Sequence, residues 1–159
     1  MKEESPAAQL DGFLAKYTAE IAAQAKATIA KMRRRLPGLM QLVYDNYNGL
    51  VVGFGPTERA SDAVFSIVAY PKWISLFFLQ NGPRLPDPEK LLKGTGKQVR
   101  HIVLKSAADL DKPAIEALIA KALEQSGVKT GGAAKNRVVI KSISAKQRPR
   151  RPSPGIAAP

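Results

Sequence analysis

The segment Lys93-Gly94-Thr95-Gly96-Lys97, with Arg100 and His101 close behind, holds the residue types best suited to gripping an anion. Successive backbone N–H groups in a glycine turn can converge on a phosphate, and Lys93, Lys97 and Arg100 would add positive charge around it. The GxxxxGK[ST] spacing of a Walker loop is absent, and the residues that follow read as a strand rather than a helix. A glycine turn that simply leads into that strand is the weightier reading. His101, the chain's one histidine, shares a strand face with Val99, Val103 and Lys105, while Arg100 shares the other with Ile102 and Leu104. No local motif sets a serine or carboxylate beside it, so a structural histidine outweighs a catalytic base.

Aromatic residues give a second set of candidates. Tyr44 and Asn46 share one strand face, and Asp45 and Tyr47 the other. Trp73, Phe77 and Leu79 share a face of a later strand whose opposite side carries Ile74, Leu76 and Phe78. With both faces apolar, the second side is either covered, part of a cleft, or a dimer contact. Core packing comes first; a cleft holding Tyr44, Trp73 and His101 is the alternative, because ligand pockets are mostly apolar with a few polar groups. The ligand-binding candidates are therefore Tyr44, Trp73, Lys93, Lys97, Arg100 and His101. No residue is assigned to catalysis, and the balance leans against an enzyme.

Charge supplies the third set. The chain carries 25 Lys+Arg against 13 Asp+Glu, a formal net charge of +12. Eight of those cations lie in residues 127–159, which contain no acid, so residues 1–126 keep 17 against 13. The stretch ending in Lys146, Arg148, Arg150 and Arg151 is the candidate for nucleic acid or another anionic polymer, through phosphate contacts without base reading. If all eight cations met duplex phosphates, log K against log salt would slope by about −7. A solvated extension is the plainer reading of such a tail. Arg33-Arg34-Arg35 likewise reads as a solvated helix end, with a phosphate role not required.

These residues sit in a chain whose length suits one domain. Without cysteine it has no disulfide or thiolate chemistry, and with one histidine it has no His-cluster metal site of its own. MKEESPAAQL lacks the order of a signal peptide, and no apolar run approaches the roughly 20 residues that span a bilayer. The expectation is a cytoplasmic protein without a membrane partner; no oligomeric state follows.

Ser5-Pro6 reads as a helix cap and first-turn proline, with Leu10, Phe13, Leu14 and Tyr17 on one face. Thr18 caps a second helix, with its stripe of Ile21, Ala25, Ile29, Met32 and Leu36, and Pro37-Gly38 stops it. The period then switches. Strands are expected over 42–47, 50–54, 63–70, 73–80 and 99–105, with Asn48-Gly49 as a hairpin turn that tolerates positive φ and Pro71-Lys72 as another. A short helix is expected at 89–92, and a last helix capped by Asp111 ends at Gly127. Short hairpins between strands, with helices at both ends, predict a two-layer α+β domain over 1–126 with an antiparallel sheet of about five strands. Beyond it, 131–136 reads as a spacer and 138–144 as a segment able to dock as an edge strand. Residues from Lys146 onward have the proline and charge content of disorder, and their removal is expected to leave stability nearly unchanged.

The run VYDNYNGLVVGFGPTERASDAVFSIVAYPKWISLFFLQ, followed by LPDPEKLLKGTGKQVRHIVL, resembles the YdhG-like family, a domain of unknown function. The resemblance covers about residues 8–125, and VVIKSISAKQRPRRP is similar to the tail of some members. It implies a frataxin-like two-layer α+β fold, and by analogy with relatives described as iron chaperones it makes iron the one cofactor to consider. Frataxins hold iron on an acidic ridge; here Asp11, Glu3, Glu4 and Glu20 are sparse and stand among Lys26, Lys31 and three arginines, so no metal ligand is carried over and iron is expected to bind weakly if at all. Two functions compete: a small binding module for an unknown small ligand or metal, and non-specific nucleic-acid binding through the basic tail.

Overall fold

The computed structural model describes residues 4–131 and 137–152. Glu3, most of the spacer read at 131–136, and the chain after Pro152 lie outside the described residues.

Two helices come first. α1 (Pro6–Leu14) begins where the Ser5 hydroxyl accepts a hydrogen bond from the Ala8 N–H at 3.1 Å. α2 (Ala19–Arg35) begins on Thr18, whose side chain accepts from the Ile21 N–H at 3.3 Å. Each side chain satisfies a donor that has no partner within the helix. A meander follows: β1 (Met40–Asp45), β2 (Leu50–Gly55), β3 (Phe65–Ala69), β4 (Ile74–Phe78) and β5 (Arg100–Leu104), each antiparallel to the one before. α3 (Pro113–Ser126) ends at Gly127, whose φ of 73° suits a residue without Cβ. β6 (Val138–Ile143) then pairs with β1 in parallel. The sheet order is β5-β4-β3-β2-β1-β6.

The result is α+β, with a mixed sheet of six strands in place of the expected antiparallel five. The β1–β2 and β3–β4 turns are local and so legible in the pattern, whereas β4 and β5 are joined by the long loop 79–99. The pattern left the sixth strand open because the partner of β6 lies about a hundred residues upstream.

Strand alternation separates the faces. Val43, Val52, Ile67, Leu76 and Ile102 stand in one cross-strand row and join Leu14, Ile29, Met32, Ile115 and Leu118 of the helices in one buried cluster. The next row on the other face is Leu42, Gly53, Ser66, Phe77 and His101; Leu42 is buried but stands apart from that cluster. The helices therefore form one layer, and the second sheet face is free of them.

Local readings shift in three places. Gly49 does not adopt positive φ; it is required because a Cβ there would stand 2.6 Å from the Ala69 carbonyl oxygen. Residues 89–92 form no helix, and the Asp87 carboxylate instead accepts from the N–H groups of Leu91 and Leu92, both at 2.8 Å. Asp111 does not cap α3; it pairs with Lys31 and Arg35 of α2. Arg35 also reaches the Leu110 carbonyl, so the end of α2 is tied to the 107–111 turn rather than simply solvated. No helix among the described residues is long and apolar enough to cross a membrane.

Candidate functional site

The site grows out of the C-terminal segment. Val138-Val139-Ile140 is β-prone and lies along the exposed edge of β1, with a register shift opposite Val43 and Tyr44. Beyond Ile143 the chain continues in the same direction. The Ser144 N–H donates to the Asp45 carbonyl at 2.9 Å, and the Arg148 N–H to the Tyr47 carbonyl at 2.9 Å. Where the sequence reads disorder from Lys146 onward, the structure lays 144–152 as a strap beside the β1–β2 hairpin.

A buried ion pair fastens the strap. The Arg150 side chain is 3% exposed and donates to Asp45 Oδ1 at 2.9 Å; the Asp45 side chain is 0% exposed. Arg150 also donates to the Tyr47 carbonyl at 3.2 Å and to the Asn46 carbonyl, and its guanidinium carbon lies 5.8 Å from the centre of the Tyr17 ring. The Tyr17 hydroxyl donates to the Ala69 carbonyl at 2.7 Å and accepts from the Leu50 N–H at 3.0 Å. Lys16 reaches Asp45 Oδ2 at 2.6 Å and Gln147 Oε1 at 2.8 Å. Burial alone would raise the Asp45 pKa, but hydrogen bonds from Lys16, Gln147 and Arg150 outweigh it and hold the carboxyl below its ordinary value. Arg151 then donates to the carbonyls of Lys16 at 3.2 Å and Ala15 at 3.4 Å, a cation at the negative end of α1.

With the strap in place, its outer side faces the β3–β4 turn across an open cleft of about 590 Å³. The strap contributes Arg148, Pro149, Arg151 and Pro152; the turn contributes Tyr70, Pro71, Lys72 and Trp73; Asn48 completes the lining. The Tyr70 N–H closes the turn on the Trp73 carbonyl at 2.9 Å. Their rings stack with centroids 4.7 Å apart and 27° between planes, and Trp73 remains 43% exposed. Burial raises the Tyr70 pKa, so it stays a neutral phenol at neutral pH. Among the described residues, no Asp or Glu lines the cleft. The cleft thus sets the cations Lys72, Arg148 and Arg151 beside an exposed aromatic surface.

The residues singled out from sequence divide between this cleft and elsewhere. Trp73, Arg148 and Arg151 meet there, whereas Arg150 is buried behind it as the anchor and Lys146 points to solvent. Tyr44, Trp73 and His101 do lie toward the helix-free face, but they do not share a cavity. Tyr44 and His101 are four strands apart in the sheet order, about 19 Å at ordinary strand spacing. Trp73 is four residues along β4 from Phe77, the partner of His101, or about 13 Å. The Tyr44 hydroxyl is buried without a hydrogen-bond partner among the described residues, and burial raises its pKa.

At the β5 end the glycine loop is occupied by its own chain. Arg100 folds back to donate to the Gly96 carbonyl, and to that of Val99 at 3.2 Å. Lys93 exchanges backbone hydrogen bonds with His101 at 2.8 and 3.0 Å, and His101 stacks on Phe77 with centroids 5.1 Å apart. Lys97 is exposed on the loop. Among the described residues no group of three or more His, Cys, Asp or Glu could hold a metal ion; Asp11 lies 3.9 Å from Lys26.

Asp45, Lys16, Tyr70 and Lys72 were not among the candidates. Strand parity offered one signal, since it puts Asp45 on the face of Val43 and so points a carboxylate at the core. Its partner, 105 residues away, has no local signature. Compared with known proteins, the chain matches no family model, no curated protein and no solved structure.

Proposed function

We propose that this chain is a non-enzymatic binding module that takes a small anionic ligand in the cleft between the C-terminal strap and the β3–β4 turn. We propose further that its body is of the YdhG-like, frataxin-like kind. The α+β layering and the runs at 43–80 and 85–104 support that assignment. The observation that carries the ligand reading is the meeting of Lys72, Arg148 and Arg151 around a stacked aromatic pair, in a cleft lined by no Asp or Glu among the described residues. Three cations with no acidic side chain among the described lining residues attract an anion, and an Arg fork can hold a phosphate or carboxylate at two points.

The chain's one tryptophan is Trp73, so its fluorescence reports directly on this cleft. Titration with inorganic pyrophosphate is expected to change that emission saturably, and Arg148→Gln to weaken the response. An unchanged emission, with no heat in calorimetry, would sink the reading.

The second reading, nucleic-acid binding by the basic tail, is narrowed by the same geometry. Arg150 is committed to Asp45, and Arg137 lies 2.8 Å from Glu58. With six of the eight tail cations left to meet phosphates, the slope of log K against log salt becomes about −5 instead of −7. A measured slope near −7 would mean the strap leaves the body when the polymer binds.

A further inference from the structure

We infer that the ligand of this cleft is a nucleotide: a flat heteroaromatic ring joined to a phosphate, offered either free or as one unit of a single strand. This rests on the cleft being the ligand site, and it adds the ring to the anion.

Three features of the cleft point to a two-part ligand. The first is the aromatic wall. Trp73 stacks one side of its ring system on Tyr70 and is still 43% exposed, which makes it one of the most exposed large apolar side chains described. Left in water, an indole face is an unfavourable surface; a further flat ring continues the stack, and stacking on aromatic side chains is how proteins hold bases with little regard to sequence. Lys72 adjoins that wall, so a ring on Trp73 brings whatever it carries near a cation.

The second is the state of the arginines. Arg148 has its guanidinium carbon 5.5 Å from the centre of the Tyr47 ring, a cation–π contact. Its guanidinium N–H groups, whose in-plane edge is left open by a contact to an aromatic ring, make no hydrogen bond among the described residues. That edge is the part that grips phosphate oxygens, and the Tyr47 contact holds it in place beforehand. Arg151 uses Nε and one terminal nitrogen on the end of α1, leaving its other terminal nitrogen for an anion.

The third is size and selectivity. About 590 Å³ falls within the roughly 300–1,000 Å³ of small-molecule sites. Among the described residues Asn48 is the one side-chain amide in the lining, so edge reading is slight and the four bases should bind within a few-fold of one another. A purely aliphatic acid would leave the indole face unused, and a bare phosphate would leave it wet.

The test compares AMP, adenosine, inorganic phosphate, a short single-stranded oligonucleotide and its duplex on the full chain. Trp73 emission is followed for the unaltered chain and calorimetry for the variants. AMP should quench Trp73 saturably and bind at least tenfold tighter than phosphate or adenosine. Trp73→Leu, a surface change, should weaken AMP tenfold or more and leave phosphate within twofold, whereas Arg148→Gln should weaken both. If the oligonucleotide displaces AMP and outcompetes the duplex, the source is a single strand; if it does not displace AMP, the source is the free nucleotide. Equal binding of phosphate and AMP, with Trp73→Leu silent on both, overturns the nucleotide while the anion site stands. No response to any probe overturns both.

Discussion

Two basic regions lie toward opposite ends of β4, and they use their arginines in opposite ways. At the β5 end, Arg100 bends back onto carbonyls at positions 96 and 99 of its own loop. At the Trp73 end, Arg150 crosses to a carboxylate 105 residues away and is buried against it. The first contact is short in sequence, exposed, and closes a loop that would form without it. The second joins the last described segment to the first hairpin, and in doing so it positions Arg148 and Arg151 at a cleft. A glycine turn with cations nearby is a local pattern and satisfies itself locally. A site assembled by the fold needs an anchor that does not touch the ligand.

That contrast is open to measurement. Its largest consequence concerns stability. Arg150→Met removes one partner of a buried pair and should cost about 3 kcal/mol, since a lone buried carboxylate is the expensive product. Lys16 remains to screen it, which keeps the cost at the low end. Arg100→Met should stay within about 0.5 kcal/mol. Urea denaturation of both variants decides it, and equal stabilities would erase the distinction between the two regions. Removing 145–159 should behave like Arg150→Met, in contrast to the neutral effect expected from composition alone.

A smaller effect follows from pH. The folded-state pKa of Asp45 is lowered, so the unfolded chain binds more protons as pH falls through the ordinary aspartate range. The resulting stability is fully present above about pH 5, and is lost as pH drops through the lowered pKa. Asp109 and Asp111 are also lowered and contribute in the same direction. Arg150→Met should therefore flatten the acid limb of a melting-temperature profile without abolishing it. An unchanged limb would mean that Lys16 alone holds the carboxylate.

The smallest effect separates the cleft from its anchor. Lys72→Gln touches neither the strap nor the core and should leave the denaturation midpoint unchanged while weakening pyrophosphate binding a few-fold, read by calorimetry. A shifted midpoint with intact binding would make Lys72 a structural residue of the turn.

What the sequence made legible follows the same divide between local and distant. Ser5 and Thr18 announced their helices because a cap needs only the next three residues. The two tight hairpins, β1–β2 and β3–β4, were readable from apolar runs and their short connections. Strand parity placed Trp73 and Phe77 on one face, and the pairing of Phe77 with His101 adds His101 to it. Parity failed to say that Tyr44 and His101 are four strands apart, because alternation gives the face and not the strand order. Nothing within ten residues of Arg150 distinguishes it from Arg148 or Arg151, yet one is buried and two face the cleft. Pro149 and Pro152, two of the prolines that argued for disorder, instead form part of the cleft wall.

The long reach from Asp45 to Arg150 also has a meaning in time. Ribosomes add about 5–20 residues per second, so Asp45 emerges roughly 5 to 20 s before the arginine that completes its surroundings. During that interval the meander and the first two helices can form, while the β1 edge that β6 will cover stays unpaired. An open strand edge is a template for joining another chain. The nascent protein thus passes through a period in which its body is folded enough to present that edge and too short to protect it, and a chaperone that masks exposed edges would have its greatest effect on this chain then.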